Sequence, residues 1–321
     1  MAETDVIIVN YNGMEHLETC LQSLMAQTYR DWRGIVVDNG STDGSMEFVR
    51  QHFPEISIIT LGMNTGFAFA TNRGIADGSS PYVALINNDI ALEHDWLERM
   101  VTALKAHPES GAVACKMMNF FDRQRLDAAG DVLTRGLIPE ARGHGQRDEG
   151  QYDVEAYVFG PCAGAALYRR RVFERLGAFD ESFFAFYEDI DLDYRMQSEG
   201  WKVLYVPSAV CFHKRGATMN TMRGMSVRLH VRNDILCLAK NIPVHVVMGH
   251  FASAALRRAR TWIAFSRKGF LLEVCSALAQ AAWRFPSLWW KRRARQSRTI
   301  QAEYLRSLIE QKPMPRSDNA D

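Results

Sequence analysis

Apolar and polar positions alternate in two rhythms through the first hundred residues of the chain. The apolar run at 6–9 predicts a buried strand, and the segment at 14–27 repeats leucine every three or four positions, which is typical of one helix face. The same pairing recurs in three further strands at 34–38, 56–61 and 82–86 and three further helices at 44–52, 67–74 and 95–106. This alternation predicts an α/β fold with a doubly wound, mostly parallel central sheet that helices cover on both faces.

The alternation is lost between residues 120 and 156, a segment rich in Gly, Arg and Asp. That composition predicts loops and edge strands near a binding site. Three further elements follow, a strand at 164–168, a short helix at 170–176 and a strand at 202–206. From about residue 220 the pattern is helical and basic. We therefore predict two units, residues 1–222 and residues 223–321.

Charge divides the chain at the same place. The formal net charge of +1 combines 20 Lys and Arg against 31 Asp and Glu in residues 1–222 with 18 against 6 in residues 223–321. Such a split indicates different partners for the two halves, a metal or sugar for the acidic one and an anionic surface for the basic one. Six scattered cysteines without a CxxC pair favour reduced thiols and a cytosolic location.

The segment 183–195 contains the most informative chemistry in the sequence. Four carboxylates, Glu188, Asp189, Asp191 and Asp193, alternate there with aromatic and aliphatic side chains. A carboxylate held against apolar walls loses hydration, which raises its pKa and makes it a better base. The segment therefore predicts an acid/base site.

Further candidate residues follow the predicted strands, where ligands bind in open α/β sheets. Tyr11 follows the first strand among amides that suit a nucleotide base, without the GxGxxG of a dinucleotide site. Asp38 ends the second strand and is placed to accept a proton from a pyrimidine N3–H, whereas a turn that caps the next helix is the alternative. Asp89 follows the fourth strand and suits a divalent cation, although Asn-Asp is also common in turns. His213 is a candidate metal ligand only when it is considered together with Asp89.

The order and spacing of these motifs resemble family 2 glycosyltransferases of the GT-A fold, in the rhamnosyltransferase-like branch. Five motifs carry the resemblance: VIIVNYNG at 6–13, VVDNGSTDGS at 36–45, NTGFAFATNRGI at 64–75, LINNDI at 85–90 and GAALYRRRVFERLGAFDESFFAFYEDIDLDYR at 164–195. The resemblance covers about residues 5–240, and its specificity comes from the set of motifs together. It makes residues 1–222 the catalytic domain.

The resemblance implies an inverting transfer of a sugar from a nucleotide diphosphate donor, with Mg²⁺ or Mn²⁺ as cofactor. Asp189 matches the catalytic base, and Asp89 and His213 match the metal ligands, although Asn87 replaces the first aspartate of the family's metal motif. The implied nucleotide-sugar contacts are Val9, Tyr11, Asp38, Asn64, Asn72 and Asn88. The implied acceptor contacts are Glu188, Asp191 and Arg195. For Asp191 and Arg195 a structural ion pair is an equal alternative.

The basic region 223–321 suits a membrane interface. Its apolar runs are interrupted by arginine and lysine, so none reaches the roughly 20 uncharged residues that span a bilayer. Trp283, Trp289 and Trp290 beside Lys291–Arg293 favour helices that lie in an anionic membrane surface. The alternatives are a helical subdomain packed on the sheet and a homodimer interface. We expect no nucleic-acid partner, because no recognised module accompanies the charge.

These observations predict a peripheral enzyme at the cytosolic face of a membrane, which transfers a sugar to a glycan or lipid-linked acceptor in surface polysaccharide synthesis. dTDP-rhamnose is the first candidate donor. One alternative is a non-catalytic nucleotide-sugar-binding scaffold. A second is a sugar-nucleotide pyrophosphorylase, which would carry a Gly-rich, basic loop where this chain has residues 10–13.

Overall fold

The alternating apolar runs form the strands of one large sheet. The computed structural model describes residues 2–215, 223–295 and 307–309, without the side chains of residues 287–295. The strands are β1 (Thr4–Asn10), β2 (Trp32–Asp38), β3 (Ser57–Thr60), β4 (Tyr82–Asn87), β5 (Ile90–Leu92), β6 (Ser110–Asn119), β7 (Leu126–Ala128), β8 (Asp131–Leu133), β9 (Pro139–Ala141), β10 (Ala156–Val158), β11 (Ala165–Arg169) and β12 (Lys202–His213). The helices are α1 (Met14–Met25), α2 (Ser45–His52), α3 (Phe67–Asp77), α4 (Trp96–Ala106), α5 (Arg170–Leu176), α6 (Glu188–Ser198), α7 (Arg223–Asn241), α8 (Val244–Gly249), α9 (Phe251–Phe265) and α10 (Leu271–Arg295).

The main sheet confirms the predicted α/β architecture. Its strand order is β10-β12-β6-β11-β4-β1-β2-β3, and all of these strands except β10 and β11 run in the same direction. Helices α1, α2 and α4 bury their apolar residues on one face, and α3, α5 and α6 do so on the other. The carboxyl ends of β1, β2 and β4 therefore meet at one edge, where the candidate residues were expected.

The sequence did not predict β6, which lies fully within the sheet between β11 and β12. Its Gly-Ala-Val-Ala-Cys-Lys-Met-Met run has a single β-branched residue, so the composition gives little strand signal. The run also contains Lys116, whose buried ammonium group pairs with Asp148 and Asp153. The late strand was also predicted too short, because β12 continues past a bulge to His213.

The segment 183–187 has a backbone that amino acids other than glycine rarely adopt. Phe184, Phe186 and Tyr187 all have positive φ, at 68°, 67° and 72°. With ψ at −63°, Phe184 occupies the strained γ-turn region. The segment brings the chain to the first turn of α6, so its shape fixes where Asp189 lies.

Side chains of α7 hold this segment in place. The Asn233 amide, which is fully buried, donates hydrogen bonds to the carbonyl oxygens of Phe183, Ala185 and Phe186 at 2.9, 2.8 and 2.8 Å. Arg232 donates a further bond to the Phe183 carbonyl at 2.9 Å. The first helix of the basic region is thus packed into the acidic region, while the boundary at residue 222 stays a prediction.

Several later helices carry exposed apolar side chains. They include Leu256 and Ile263 on α9 and Leu271, Leu272 and Trp283 on α10. In the part of the chain that the structure describes, no helix combines the length and the apolarity needed to cross a bilayer. Trp289, Trp290 and Lys291–Arg293 belong to α10, but their side chains lie outside the described set.

We expect Asn233→Leu to destabilise the protein, because the Ala185 and Phe186 carbonyls lose this donor, whereas the Phe183 carbonyl keeps its bond from Arg232. A buried polar group without a partner costs about 1–3 kcal/mol, so the free energy of unfolding should fall by at least about 2 kcal/mol. Urea denaturation followed by circular dichroism measures the change. Arg223→Ala, an exposed change on the same helix, should shift the value by less than about 0.5 kcal/mol. Equal stability of Asn233→Leu and wild type would show that the segment keeps its shape without α7.

Candidate active site

Amide side chains join the ends of β1 and β4. Asn10 is fully buried, and its Oδ1 accepts a hydrogen bond from Asn88 Nδ2 at 2.7 Å. Its own Nδ2 donates to the hydroxyl groups of Ser45 and Ser41 at 3.0 and 3.1 Å. A side chain on Gly13 would lie 2.0 Å from the Asn88 amide, so only glycine fits at residue 13. Asn88 therefore holds the end of β1, next to the loop that follows this strand.

Tyr11 lies on the loop after β1 and Asp38 is the last residue of β2, and the loops after these two strands are bonded to one another. Asp38 is 3% exposed and accepts a hydrogen bond from the Ser41 backbone at 2.9 Å. Tyr11 is half-buried on the loop after β1, and Val9 is half-buried near the end of that strand. Because Asp43 accepts from the Met14 backbone at 2.9 Å, the two loops form one surface at the sheet edge. The pairing of an aromatic ring and a buried carboxylate suits a nucleotide base.

The structure separates two asparagines that the sequence placed together near the donor. Asn64 accepts a hydrogen bond from Asn39 at 3.1 Å, which holds the loop after β3 against the end of β2. Asn72 instead joins α3 to the segment before α6. Its amide exchanges two bonds of 2.9 Å with the Phe179 backbone and donates to Glu181 at 3.0 Å. Both ends of the Asn72 amide thus have protein partners.

Asp89 and His213 meet beyond the ends of β4 and β12. His213 Nε2 lies 3.3 Å from Asp89 Oδ2, and His213 Nδ1 lies 2.7 Å from Asp127 Oδ2. Burial alone would lower the pKa of His213, but the hydrogen bonds to Asp127 and Asp89 raise it to about 9. The imidazole therefore carries a proton at neutral pH when nothing else binds there.

Asp127, on β7, is the residue on which this cluster depends. Burial opposes its ionisation, but hydrogen bonds with His144 and His213 and the charge of Arg215 hold its pKa below the usual range. Asp127 is consequently an anion that orients the His213 ring. Burial and the charge of Asp189 raise the pKa of nearby Asp131 to about 7. Asp131 thus connects the His213 cluster electrostatically with Asp189.

The donor set at Asp89 and His213 fits a divalent cation. Among the described residues, no three His, Cys, Asp or Glu side chains are grouped as a metal site. Asp127 bonds to Nδ1 of His213, so the Nε2 atom faces the Asp89 carboxylate. Histidines that bind a metal through one ring nitrogen often bond to a carboxylate through the other. Two protein ligands suffice for a cation that is also held by substrate phosphates.

Asp189 lies in the first turn of α6 and is half-buried. Its Oδ1 accepts from the Ile190 backbone at 2.8 Å, and its Oδ2 faces the Ala163 backbone N–H at 3.5 Å. Burial raises the pKa of Asp189 despite these bonds. Glu188 is more deeply buried, one of its oxygens has no partner, and burial followed by the Asp189 charge raises its pKa strongly. Asp189 is therefore the more accessible base of the pair.

The structure favours the structural alternative for Asp191 and Arg195. Both are buried, and the Arg195 guanidinium bonds to Asp191 Oδ2 at 2.9 Å and to three backbone carbonyls. Asp191 Oδ1 also pairs with Lys240 at 2.7 Å and with Asn241 at 2.8 Å. Because protein groups occupy both side chains, the geometry argues against direct acceptor contacts. We correct their assignment to an internal ion-pair network.

Sequence reasoning missed three acids of this region. Asp127 and Asp131 come from the segment for which the sequence predicted loops and edge strands, and their signal is a pair of acids around Ala-Ala-Gly, on the short strands β7 and β8. Asp193 was noted only as part of the acidic segment. Its carboxylate is fully buried without hydrogen-bond partners, and a side chain on Gly160 would lie 1.9 Å from it. Burial, followed by the charge of Asp189, raises the pKa of Asp193 well above its usual value.

Residues 5–177 match Glycosyl transferase family 2. The chain is 27% identical over 259 residues to the N-acetylglucosaminyl-diphospho-decaprenol L-rhamnosyltransferase of Mycobacterium tuberculosis, covering 73% of this chain and 83% of that protein. The structure resembles a mannosyltransferase from Pyrobaculum calidifontis in complex with GDP-Man and Mn²⁺, with a TM-score of 0.55, 20% identity and coverage of 97% and 88% of the two chains. It also resembles GalNAc-T7 with UDP, GalNAc and Mn²⁺, with a TM-score of 0.59 and 13% identity over 75% of this chain and 48% of that one, so it spans about half of that structure. The chain belongs to glycosyl transferase family 2 and is a glycosyltransferase of the GT-A fold.

Proposed function

We propose that this glycosyltransferase moves a sugar, with inversion, from a nucleotide diphosphate donor to a hydroxyl group of a lipid-linked glycan in surface polysaccharide synthesis. The observation that carries the proposal is the half-buried Asp189 carboxylate, whose pKa burial raises, in the first turn of α6. dTDP-rhamnose is the proposed donor, because the Mycobacterium tuberculosis relative is named as a rhamnosyltransferase that acts on a diphospho-decaprenol sugar. The family match favours this proposal over the scaffold and pyrophosphorylase alternatives.

In the proposed step the acceptor oxygen forms a bond to the anomeric carbon as the bond from that carbon to the diphosphate oxygen breaks. Asp189 takes the proton of the acceptor hydroxyl. Tyr11 and Asp38 hold the base of the donor, and Asp127 holds the His213 ring toward Asp89. A divalent cation held by Asp89 and His213 would neutralise the charge of the departing nucleoside diphosphate.

Asp189→Asn should reduce kcat by about 10²–10⁴-fold, the usual contribution of a general base. Donor affinity, measured by calorimetry with the nucleotide diphosphate, should be unchanged. The base acts when it is ionised, and burial raises its pKa. As the pH is lowered, kcat/KM should therefore begin to fall at a pH above the usual pKa range of aspartate. Asp77→Asn, at an exposed ion pair, serves as the control. Unchanged turnover in Asp189→Asn would remove this residue from the mechanism.

Asp89→Asn and His213→Gln should each abolish activation by Mn²⁺ or Mg²⁺. Asp127→Asn should raise the metal concentration for half-activation by about 10–100-fold, since it removes only the outer partner of His213. Metal binding must displace the proton of His213, so apparent metal affinity should rise with pH up to about 9. Titration of activity with metal in each variant measures these effects.

His94→Gln, at an exposed histidine, is the matched control for that series. Full activity of the wild type in chelator would contradict the metal assignment. The protonated His213 would then be the positive charge that faces the diphosphate.

We also propose that α9 and α10 lie on an anionic membrane surface. Exposed Leu271 and Leu272, 56% and 80% accessible, lie beside exposed Arg267 and Lys268. Interfacial helices typically insert apolar side chains at the boundary of the acyl chains and place neighbouring cations against the lipid phosphates. The exposed Trp283 further along α10 supports the same face.

Replacing both Leu271 and Leu272 by glutamine should weaken binding to phosphatidylglycerol vesicles by at least about tenfold, because burial of each leucine contributes about 1.5–3 kcal/mol. Vesicle co-sedimentation measures the change, and binding should also weaken at high salt. Val154→Gln, at an exposed site on another surface, is the control. Equal vesicle binding by the double variant and the wild type would refute the interfacial role of these leucines.

A further inference from the structure

A basic cavity of about 260 Å³ opens beside the segment that precedes α6, between α7 and α10. Arg228 and Arg232 of α7 and Arg284 of α10 line it. The cavity is separate from the sheet edge at which Tyr11, Asp38 and Asp89 lie.

The three arginines give the cavity an excess of positive charge. Arg232 and Arg284 both donate to the Ser182 carbonyl, at 3.3 and 2.9 Å, so two guanidinium groups converge on one atom. Burial, and then the charges of Arg284 and Arg228, lower the pKa of Arg232 to about 10. Arg228 has no carboxylate within 4.0 Å among the described residues. An anion in the cavity would relieve this repulsion.

One acid lines the cavity among the described residues, and it does not offset three arginines. Glu181 is exposed, and one of its oxygens already accepts a hydrogen bond from Asn72 at 3.0 Å. With one carboxylate against three guanidinium groups, the described lining carries more positive than negative side chains. Planar guanidinium groups bind phosphate oxygens in pairs, which makes phosphate the anion of choice.

Besides Ser182 and Gln280, the cavity wall has an apolar part. Phe184, Met225 and Leu229 form this part. On α10, the exposed Trp283 and Phe285 flank Arg284, with 86% and 47% of their surfaces accessible. The combination suits a phosphate group that is attached to a hydrocarbon chain, because one end needs cations and the other needs apolar contact.

We propose that Arg228, Arg232 and Arg284 bind the diphosphate of a prenyl-linked acceptor, whose hydrocarbon chain leaves the cavity along the Trp283 side of α10. This inference rests on the proposed function and assigns its acceptor a binding site. Ser182 and Phe184 belong to the segment that continues into Asp189, so the sugar attached to a diphosphate held here is directed toward the base. The donor diphosphate has its own site at Asp89 and His213.

The first test compares two acceptors that carry the same sugar, one linked to farnesyl diphosphate and one an uncharged alkyl glycoside. Arg228→Met should raise KM for the diphosphate acceptor roughly 10- to 100-fold, as expected for loss of a charge-assisted hydrogen bond. KM for the alkyl glycoside and for the donor should not change. Arg228→Lys should recover part of the loss, and Arg50→Met, an exposed change on α2, should have no effect. Equal losses with both acceptors, or none with either, would overturn the proposal.

The second test is independent of transfer and uses inorganic pyrophosphate in chelator as the probe. Calorimetry should show that the wild type and Asp89→Asn bind pyrophosphate and that Arg228→Met does not. If the protein bound pyrophosphate in this way but transferred no sugar, the anion site would be supported and the proposed function would be contradicted. Identical pyrophosphate binding by wild type and Arg228→Met would overturn the site. If Arg228→Met lost binding to phosphatidylglycerol vesicles but kept pyrophosphate binding, the arginines would be assigned to lipid headgroups, and the proposed diphosphate site would also be overturned.

Discussion

The backbone of residues 183–187 depends on contacts from outside the segment, and the position of Asp189, the proposed base, depends on that backbone. Three residues with positive φ cost about 1–3 kcal/mol each. The segment is held from two sides: the Asn233 amide bonds to three of its carbonyls, and the Ala68 backbone donates to the Phe184 carbonyl at 3.1 Å. Gly66 permits the second contact, because a side chain there would lie 2.6 Å from Phe184. The basic region thus completes the site through α7, in addition to any role at a membrane.

Helix α6 gives three aspartates three different environments because of its periodicity. Asp189 and Asp193 are four residues apart and share a face, whereas Asp191 points to the other side. On the shared face, Asp189 meets the Ala163 backbone and Asp193 meets Gly160, with burial raising both pKa values. On the opposite face, Asp191 is buried too, but the charges of Lys240 and Arg195 outweigh that burial and lower its pKa. Burial and the charge of Asp189 oppose the ionisation of Asp193, so a second negative charge beside the proposed base Asp189 is disfavoured.

Local periodicity predicted the elements of the first hundred residues except the short strand β5, and it predicted the end of β2 at Asp38 and the end of β4 just before Asp89. It failed where the structure depends on distant partners. Nothing in the β6 sequence signals its place within the sheet, and the acidic pattern alone could not separate the ion-paired Asp191 from Asp189, because Lys240 lies far along the chain. Asp127 was missed for a related reason, since its role comes from antiparallel pairing of β7 with β6, which brings it to His213. The motif spacing was enough to identify the family. The environments of the carboxylates could be known only from the folded structure.

The charge asymmetry of the sequence acquires a physical meaning in the fold. Part of the basic half neutralises the acidic one directly, as Lys240 does with Asp180 and Asp191 at 2.6 and 2.7 Å. Arg228, Arg232 and Arg284 lie at the cavity beside Ser182, whereas the proposed base Asp189 lies seven residues further along the same segment. A molecule with phosphates at one end and a sugar hydroxyl at the other is oriented by that arrangement, because carboxylates repel its phosphates and guanidinium groups attract them. Reversal would place a diphosphate against the Asp189 carboxylate, which repels it. For the proposed acceptor, the electrostatics of the two halves therefore favour the orientation in which the hydroxyl meets Asp189.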